Sequence, residues 1–384
     1  MSRPWMNSGP RSIWAAGAFG VFLLAANFTA AQTPSPALLV LEKSDNSLAI
    51  VDPANLQIVA RLPAGPDPHE IVASADGKLA YISNYGGSDS GLNTISVIDL
   101  AARQALPPIN LGALRSAHGL AFAGGKLYFT VETNKAIGRY DPATQSVDWV
   151  LGTGQDRTHM VAVFESLDRI VTSNVSSGTI SIIEQISSPA GGFGPPPGSN
   201  GPPGSASPTG GAPPGGPPPG MGPPGGRRNT WRVTNVAAGR GAEGFDVSPD
   251  GKEIWAANVQ DGTVTIIDAA SKKVTQTLPI SLRGANRLKF TPDGKRVLIA
   301  GGGGGAAPAG SNLVVLDRAT GKEIKQLNFG GGAAGIVIVP DGSRAYVAVS
   351  AKDKVAAVNL KSLEVTGYVS TGKQPDGLAW VQRN

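Results

Sequence analysis

Short stretches in which hydrophobic and polar residues alternate recur along this chain, separated by turns that contain Asp and Gly. The clearest unit spans residues 241–281, and residues 263–267 within it alternate with a period of two, as a half-buried β-strand requires. Asp250 and Gly251 form a tight hairpin turn between two such stretches, because Gly readily adopts the positive φ that the turn needs. We therefore predict four short strands in this unit.

The same unit recurs along the whole chain. Complete units begin near residues 65, 113, 155, 240, 282 and 331. Residues 38–63 supply three strands that lack a first one, and residues 373–381 supply a first strand with nothing after it. Joined together, they make a seventh unit and close a ring, which removes unpaired strand edges. We predict an all-β fold over residues 32–384, a seven-bladed β-propeller of four-stranded blades whose N- and C-terminal segments share blade 1.

The second strand of the repeat carries a recognisable motif. It occurs as Tyr81-Ile82-Ser83-Asn84, Trp255-Ala256-Ala257-Asn258 and Tyr346-Val347-Ala348. Together with the Asp-Gly-Lys turn and the Ile-Asp strand ending, this motif resembles the YVTN family of β-propeller repeats. The resemblance covers residues 38–384 apart from one insertion, and it implies the fold. Function stays open, because that family includes binding proteins, adhesins and domains of metalloenzymes.

Two segments fall outside the repeat. Residues 1–31 combine Arg3 and Arg11, an apolar stretch and small residues before a cleavage site, the pattern of a signal peptide. An uncleaved anchor is the alternative, but the apolar stretch is short for a membrane span. Residues 188–226 interrupt blade 4, and because 28 of these 39 residues are Pro or Gly, we predict that they are disordered. They should leave the ring on the face opposite the site described next.

Composition narrows the chemistry. The chain has no Cys, which excludes disulfides, thiol catalysis, Cys-based metal sites and haem attachment through Cys. Removing Arg3 and Arg11 with the signal lowers the net charge from +5 to +3, a weak basic balance that does not favour nucleic acid as a partner. We expect an exported protein, periplasmic or extracellular, that is a monomer and has no membrane span in the mature chain.

The chain has three His residues, and all of them align at one place in the repeat, just before the first strand. We call this place the mouth position, because the first strand of a blade borders the central channel and this residue lies at its top mouth. In chain order its occupants are His69, His118, His159, Glu243, Asn286, Ala334 and Asp376. Three imidazoles here, with Glu243 as a fourth ligand, are suited to one Cu, Fe or Zn ion. Alternatively, they are polar residues that line a hydrated channel or a metal-free ligand pocket, to which Asn286 and Asp376 would contribute.

Cations precede the mouth position in five blades. They are Arg115, Arg157, Arg240, Arg283 and Lys373, which we call the crown. Such a ring of positive charge would attract an anionic ligand to the channel. The alternative is that each cation is solvated or paired with a nearby carboxylate.

Three functions follow from these residues. The first is a binding protein that captures an anionic small molecule, glycan or peptide at the mouth. The second is a metalloenzyme built on the His residues. The third is a surface scaffold, for which the Pro/Gly-rich insertion would act as a spacer. Neither a phosphate-binding loop, nor an H-E-x-x-H motif, nor a nucleophile elbow occurs, so the motifs do not decide whether the protein is an enzyme.

Overall fold

The computed structural model describes residues 1, 33–87, 90–164, 166–188, 228–302 and 310–383. Apart from Met1, the predicted signal peptide lies outside these residues. So does the predicted disordered insertion, apart from Ser188, and both stay predictions. Within the described part, no helix is long and apolar enough to cross a membrane.

The described residues that follow Gln32 form twenty-eight strands and two short 3₁₀ turns, Lys43–Asp45 and Ser350–Lys352. In chain order the strands are β1 (Ala37–Glu42), β2 (Ser47–Asp52), β3 (Gln57–Pro63), β4 (Pro68–Ala73), β5 (Leu79–Asn84), β6 (Thr94–Asp99), β7 (Gln104–Asn110), β8 (Ala117–Ala123), β9 (Lys126–Val131), β10 (Ala136–Asp141), β11 (Ser146–Gly152), β12 (Thr158–Val163), β13 (Arg169–Asn174), β14 (Thr179–Ser188), β15 (Arg228–Ala237), β16 (Ala242–Val247), β17 (Glu253–Asn258), β18 (Thr263–Asp268), β19 (Lys273–Pro279), β20 (Arg287–Phe290), β21 (Arg296–Ala300), β22 (Leu313–Asp317), β23 (Glu323–Leu327), β24 (Ile336–Ile338), β25 (Arg344–Val349), β26 (Lys354–Asn359), β27 (Glu364–Ser370) and β28 (Pro375–Val381).

These strands form seven antiparallel sheets of four strands each, as predicted. Blade 1 is shared by the two ends of the chain, with the order β28-β1-β2-β3, and blades 2 to 7 each take the next four strands in sequence. The first strands of neighbouring blades contact one another around the ring, and β28 touches both β4 and β24. The C-terminal strand therefore closes the ring, and the first strands border its centre.

The hydrophobic core is divided among the blade interfaces. Seven clusters of buried residues each join two neighbouring blades. In the cluster between blades 1 and 2, for example, Leu39 and Ile50 meet Ile71 and Ile82. Because these residues alternate along their strands, each blade buries both faces against its two neighbours. The Asp residues that end the third strands are structural: Asp268 Oδ1, for instance, accepts a hydrogen bond from the backbone N–H of Ser271 in the turn after β18.

The third and fourth strands of blade 4 are longer than predicted. The sequence pattern predicts strands at residues 180–184 and 230–236, whereas the ladder between β14 and β15 continues to the pair Ser188 and Arg228. The register of β12, β13 and β14 places Ser188 at the end of the blade opposite Thr158 and the mouth position. The chain therefore leaves for the insertion on the face away from the His residues.

Candidate functional site

A β-bulge at the mouth position decides which side chains reach the channel. In β4, Pro68 pairs with Asn84 and Ile71 with Ile82, so that His69 and Glu70 share one partner residue. Neighbouring residues of a regular strand point to opposite faces, and a bulge re-aims one of them. The same irregularity occurs at the mouth position of β8, β12, β16 and β28. The sequence predicts the mouth residue just before the first strand of the blade. In the structure it is instead the second residue of each of these strands.

In blades 3 and 4, a hydroxyl group on the second strand holds the bulge and ties it to the next blade. Thr130 Oγ1 accepts from the Gly119 N–H at 2.8 Å and donates to the His159 carbonyl at 2.6 Å. In the next blade, Ser173 Oγ accepts from the Met160 N–H at 3.2 Å and donates to the Glu243 carbonyl at 2.5 Å. These two hydroxyl groups therefore fix the spacing between the mouth positions of blades 3, 4 and 5.

The residue after the mouth position is Gly in four blades: Gly119, Gly244, Gly335 and Gly377. These glycines lie against the backbone of the next mouth position, and a Cβ on Gly335 would come within 2.0 Å of the Asp376 carbonyl oxygen. Blades 2, 4 and 6 carry Glu70, Met160 and Arg287 there instead.

The three imidazoles lie side by side at the mouth. The ring centroids of His69 and His118 are 4.7 Å apart, and those of His118 and His159 are 3.6 Å apart with the rings stacked. The Tyr85 ring meets both His69 and His118 edge-on, at 4.9 and 4.8 Å. Its hydroxyl donates to Glu132 Oε2 at 2.6 Å. The three His residues belong to blades 2, 3 and 4, so only the closed ring of blades brings them together.

His159 is bracketed by carboxylates. Its Nδ1 lies 2.5 Å from Glu132 Oε1, and its Nε2 lies 3.8 Å from Glu243 Oε1. Burial by itself lowers the pKa of His159, but the hydrogen bond to Glu132 and the Glu243 carboxylate outweigh burial and raise that pKa above its ordinary value. The same contacts hold the pKa of Glu132 below its ordinary value and that of Glu243 at about 2, against the opposing effect of burial. His159 is therefore the imidazole best suited to carry a positive charge.

His69 and His118 have the opposite character. Burial, and then the nearby Lys43, lower the pKa of His69 to about 3. Burial, and then His159, lower the pKa of His118 well below its ordinary value. The Nδ1 atoms of both rings are buried and make no hydrogen bond, although His69 Nδ1 lies 3.3 Å from Asp376 Oδ2. Both rings are neutral at ordinary pH, the form in which imidazole binds metals.

Arg287 is a buried cation of this site that the sequence analysis missed. One guanidinium nitrogen lies 2.6 Å from Glu70 Oε1 of blade 2, and the other lies 3.3 Å from Glu243 Oε1 of blade 5. Burial raises the pKa of Glu70, and the Arg287 charge opposes that effect only in part. Burial likewise raises the pKa of Asp376. Arg287 could have been noticed from its place in the repeat, where four blades carry Gly.

Two of the predicted metal ligands belong to a compact group, together with one residue that was not predicted. Among the residues that the structure describes, His69, Glu70 and His118 form the one group of three whose possible ligand atoms all lie within 4.8 Å of one another. Glu70 was missed because it follows His69 directly and would point away from the channel in a regular strand. His159 and Glu243 face each other beside this group. Asn286 lies at its own mouth position with a buried, unbonded Oδ1.

The crown is more exposed than the inner residues, and two of its cations are paired with carboxylates. Arg157 Nε lies 3.4 Å from Glu132 Oε2, and Arg240 Nε lies 2.6 Å from Asp261 Oδ1. Arg115, Arg283 and Lys373 are exposed. A role of the crown in attracting an anion stays a prediction.

No protein-family model matches the sequence, and none of the curated proteins compared with it does. Several solved structures match the fold of this chain. One is a functionally unknown protein from Desulfotomaculum acetoxidans DSM 771, which is 12% identical in sequence and matches with a TM-score of 0.65. The match covers 91% of this chain and 100% of that one. Kuenenia stuttgartiensis hydrazine synthase matches with 16% identity and a TM-score of 0.58, over 84% of this chain and 96% of that one. Dihydro-heme d1 dehydrogenase NirN in complex with DHE matches with 14% identity and a TM-score of 0.56, over 89% of this chain and 74% of that one.

These similarities support a seven-bladed β-propeller and nothing finer, because identities this low establish fold alone. The resemblance to the YVTN family stays a prediction.

Proposed function

We propose that this protein is an exported metal-binding β-propeller that holds one divalent transition-metal ion at the channel mouth. The proposed ligands are His69, Glu70 and His118. The observation that carries the proposal is that two buried imidazole Nδ1 atoms lack hydrogen-bond partners beside a buried carboxylate, with the possible ligand atoms of the three residues within 4.8 Å of one another. A buried polar atom without a partner costs about 1–3 kcal/mol, and a bound cation would remove that cost.

The distances suit a metal after small movements. With bonds of about 2.1 Å, the ligand atoms of a tetrahedral site lie about 3.4 Å apart. Closing from 4.8 Å requires shifts of about 1 Å, which side-chain rotations can supply. The bulge that directs Glu70 toward the channel belongs to the backbone and needs no change.

Two imidazoles and one carboxylate form a donor set used for zinc and for non-haem iron(II). Three protein ligands also leave positions open for a further molecule, which is typical of a catalytic site. His159 and Glu243 would then act beside the metal, as a charged pair facing a bound ligand. Two of the fold neighbours are named as a synthase and a dehydrogenase, so this fold also occurs in enzymes.

Metal reconstitution of the purified protein tests the proposal. The full chain, exported and stripped with EDTA, is titrated with zinc(II), cobalt(II) and anaerobic iron(II), and bound metal is measured by elemental analysis. We expect one equivalent, and we expect His118→Ala and Glu70→Gln to weaken binding by about 10- to 100-fold or more. Asp261→Asn is the matched control, because this carboxylate lies on the same face and pairs with Arg240. Less than about 0.1 equivalent with every metal, in a folded protein, would refute the proposal.

A further inference from the structure

A lysine contacts the imidazole of one proposed ligand. Lys43 lies in the 3₁₀ turn after β1, and its Nζ contacts His69 Nε2. An ammonium group can only donate hydrogen bonds, so Nε2 must be the accepting nitrogen and Nδ1 must carry the proton. In this tautomer the Nδ1–H faces Asp376 Oδ2, at 3.3 Å.

Metal binding and this contact exclude each other, whichever nitrogen binds the metal. A metal on Nε2 would take the lone pair that Lys43 uses. A metal on Nδ1 would move the ring proton to Nε2, where two donors would then face each other. Lys43 must leave His69 in both cases.

The departure of Lys43 requires only side-chain movement. Its backbone N–H donates to the Gln374 carbonyl at 3.1 Å, which fixes the turn. The side chain is 28% exposed, so other rotamers can reach solvent. Asp67 Oδ1, at 3.7 Å from Nζ, would keep the ammonium near the mouth. A released Lys43 therefore remains a cation close to the metal.

We infer that the site takes up its metal together with a small carboxylate anion, and that Lys43 couples the two. The inference rests on the proposed function. The three protein ligands leave coordination positions open, and an anion there would be bound by the metal and paired with the released ammonium. By drawing Lys43 away from His69, the anion strengthens metal binding, and the metal strengthens anion binding by the same factor.

Cobalt(II) titrations with acetate as the probe anion test this coupling. The dissociation constant of cobalt is measured with acetate and with perchlorate at equal ionic strength, in the wild type, in Lys43→Met and in Lys135→Met. Lys135 is the matched control, because it follows β9 at the mouth end of blade 3, but its side chain is 51% exposed and pairs with Asp156. In the wild type we expect acetate to tighten cobalt binding about tenfold, the scale of one charge-assisted hydrogen bond.

The variants separate the possible outcomes. Lys43→Met should bind cobalt about tenfold more tightly than the wild type in perchlorate, and acetate should add little. Lys135→Met should behave as the wild type. An unchanged affinity in Lys43→Met, an undiminished acetate effect in it, or an equal change in Lys135→Met would overturn the inference and leave the metal site standing. Absence of cobalt binding in all three proteins would instead overturn the proposed function.

Discussion

Replacing Arg287 by Met removes the cation that links blades 5 and 2 across the mouth. The Arg287 side chain is 10% exposed, and its guanidinium contacts Glu70 at 2.6 Å and Glu243 at 3.3 Å. Met preserves much of the apolar stem but leaves these carboxylates, with Asp376 close by, without their buried counter-charge. The variant therefore isolates the electrostatic contribution of one residue.

The expected magnitude follows from burial. Removing one partner of a buried ion pair costs about 3–5 kcal/mol, because the remaining charge is stranded in the interior. For a chain of 384 residues, each kcal/mol lowers the melting temperature by roughly 1.2 °C, given about 2.1 cal/mol/K of unfolding entropy per residue. We therefore expect a melting temperature lower by about 4 to 6 °C.

Urea and thermal unfolding in the presence of EDTA measure this effect without any metal contribution. The matched control is Arg240→Met, because Arg240 lies at the same 2.6 Å from Asp261 but its side chain is 77% exposed. An exposed pair contributes only about 0–1 kcal/mol. In a double-mutant cycle, Glu70→Gln should recover about 2 kcal/mol or more in the Arg287→Met background. Equal losses in the two Arg variants, or additive losses in the cycle, would refute the reasoning.

Two further changes test how the mouth positions are spaced. Thr130→Val leaves a buried N–H and a buried carbonyl without partners, so we expect the free energy of unfolding in urea to fall by about 2–4 kcal/mol. The control Thr275→Val removes one half-buried hydrogen bond in an outer strand and should lower it by less than about 1 kcal/mol. Gly335→Ala brings a Cβ within 2.0 Å of the next blade's backbone and should cost about 1–3 kcal/mol or more in thermal unfolding. Gly152→Ala meets no atom within 4 Å and should change stability by less than about 0.5 kcal/mol. Equal effects within either pair of variants would contradict this account of the spacing.

The repeat was sufficient to predict the fold and the meeting of the three His residues. Strand periodicity and turn residues recur in every blade, and the incomplete units at the two ends, residues 38–63 and 373–381, require each other. Because the first strands form the inner ring, residues aligned in the repeat must converge at one mouth. His69, His118 and His159 could therefore be placed without any knowledge of their contacts.

Residues that act between blades could not be predicted in this way. Glu132 follows β9 of blade 3 but bonds His159 of blade 4, and Tyr85 of blade 2 reaches Glu132 across another interface. An alignment of repeats shows which position a residue holds in its own blade, not which neighbour it touches. Glu70 was missed for a different reason, because hydrophobic periodicity does not reveal the bulge that turns it toward the channel.

The chemistry of the mouth arises where individual blades depart from the repeat. A Gly after the mouth position lets neighbouring backbones approach closely, which favours a regular ring and adds no functional group there. Blades 2 and 6 replace this Gly with Glu70 and Arg287, and the two side chains meet across the channel. Glu70 is thereby held beside His69 and His118, whose buried Nδ1 atoms lack hydrogen-bond partners. The repeat thus supplies the geometry, and two substitutions at one position make the three-residue site possible by adding a carboxylate and the cation that holds it.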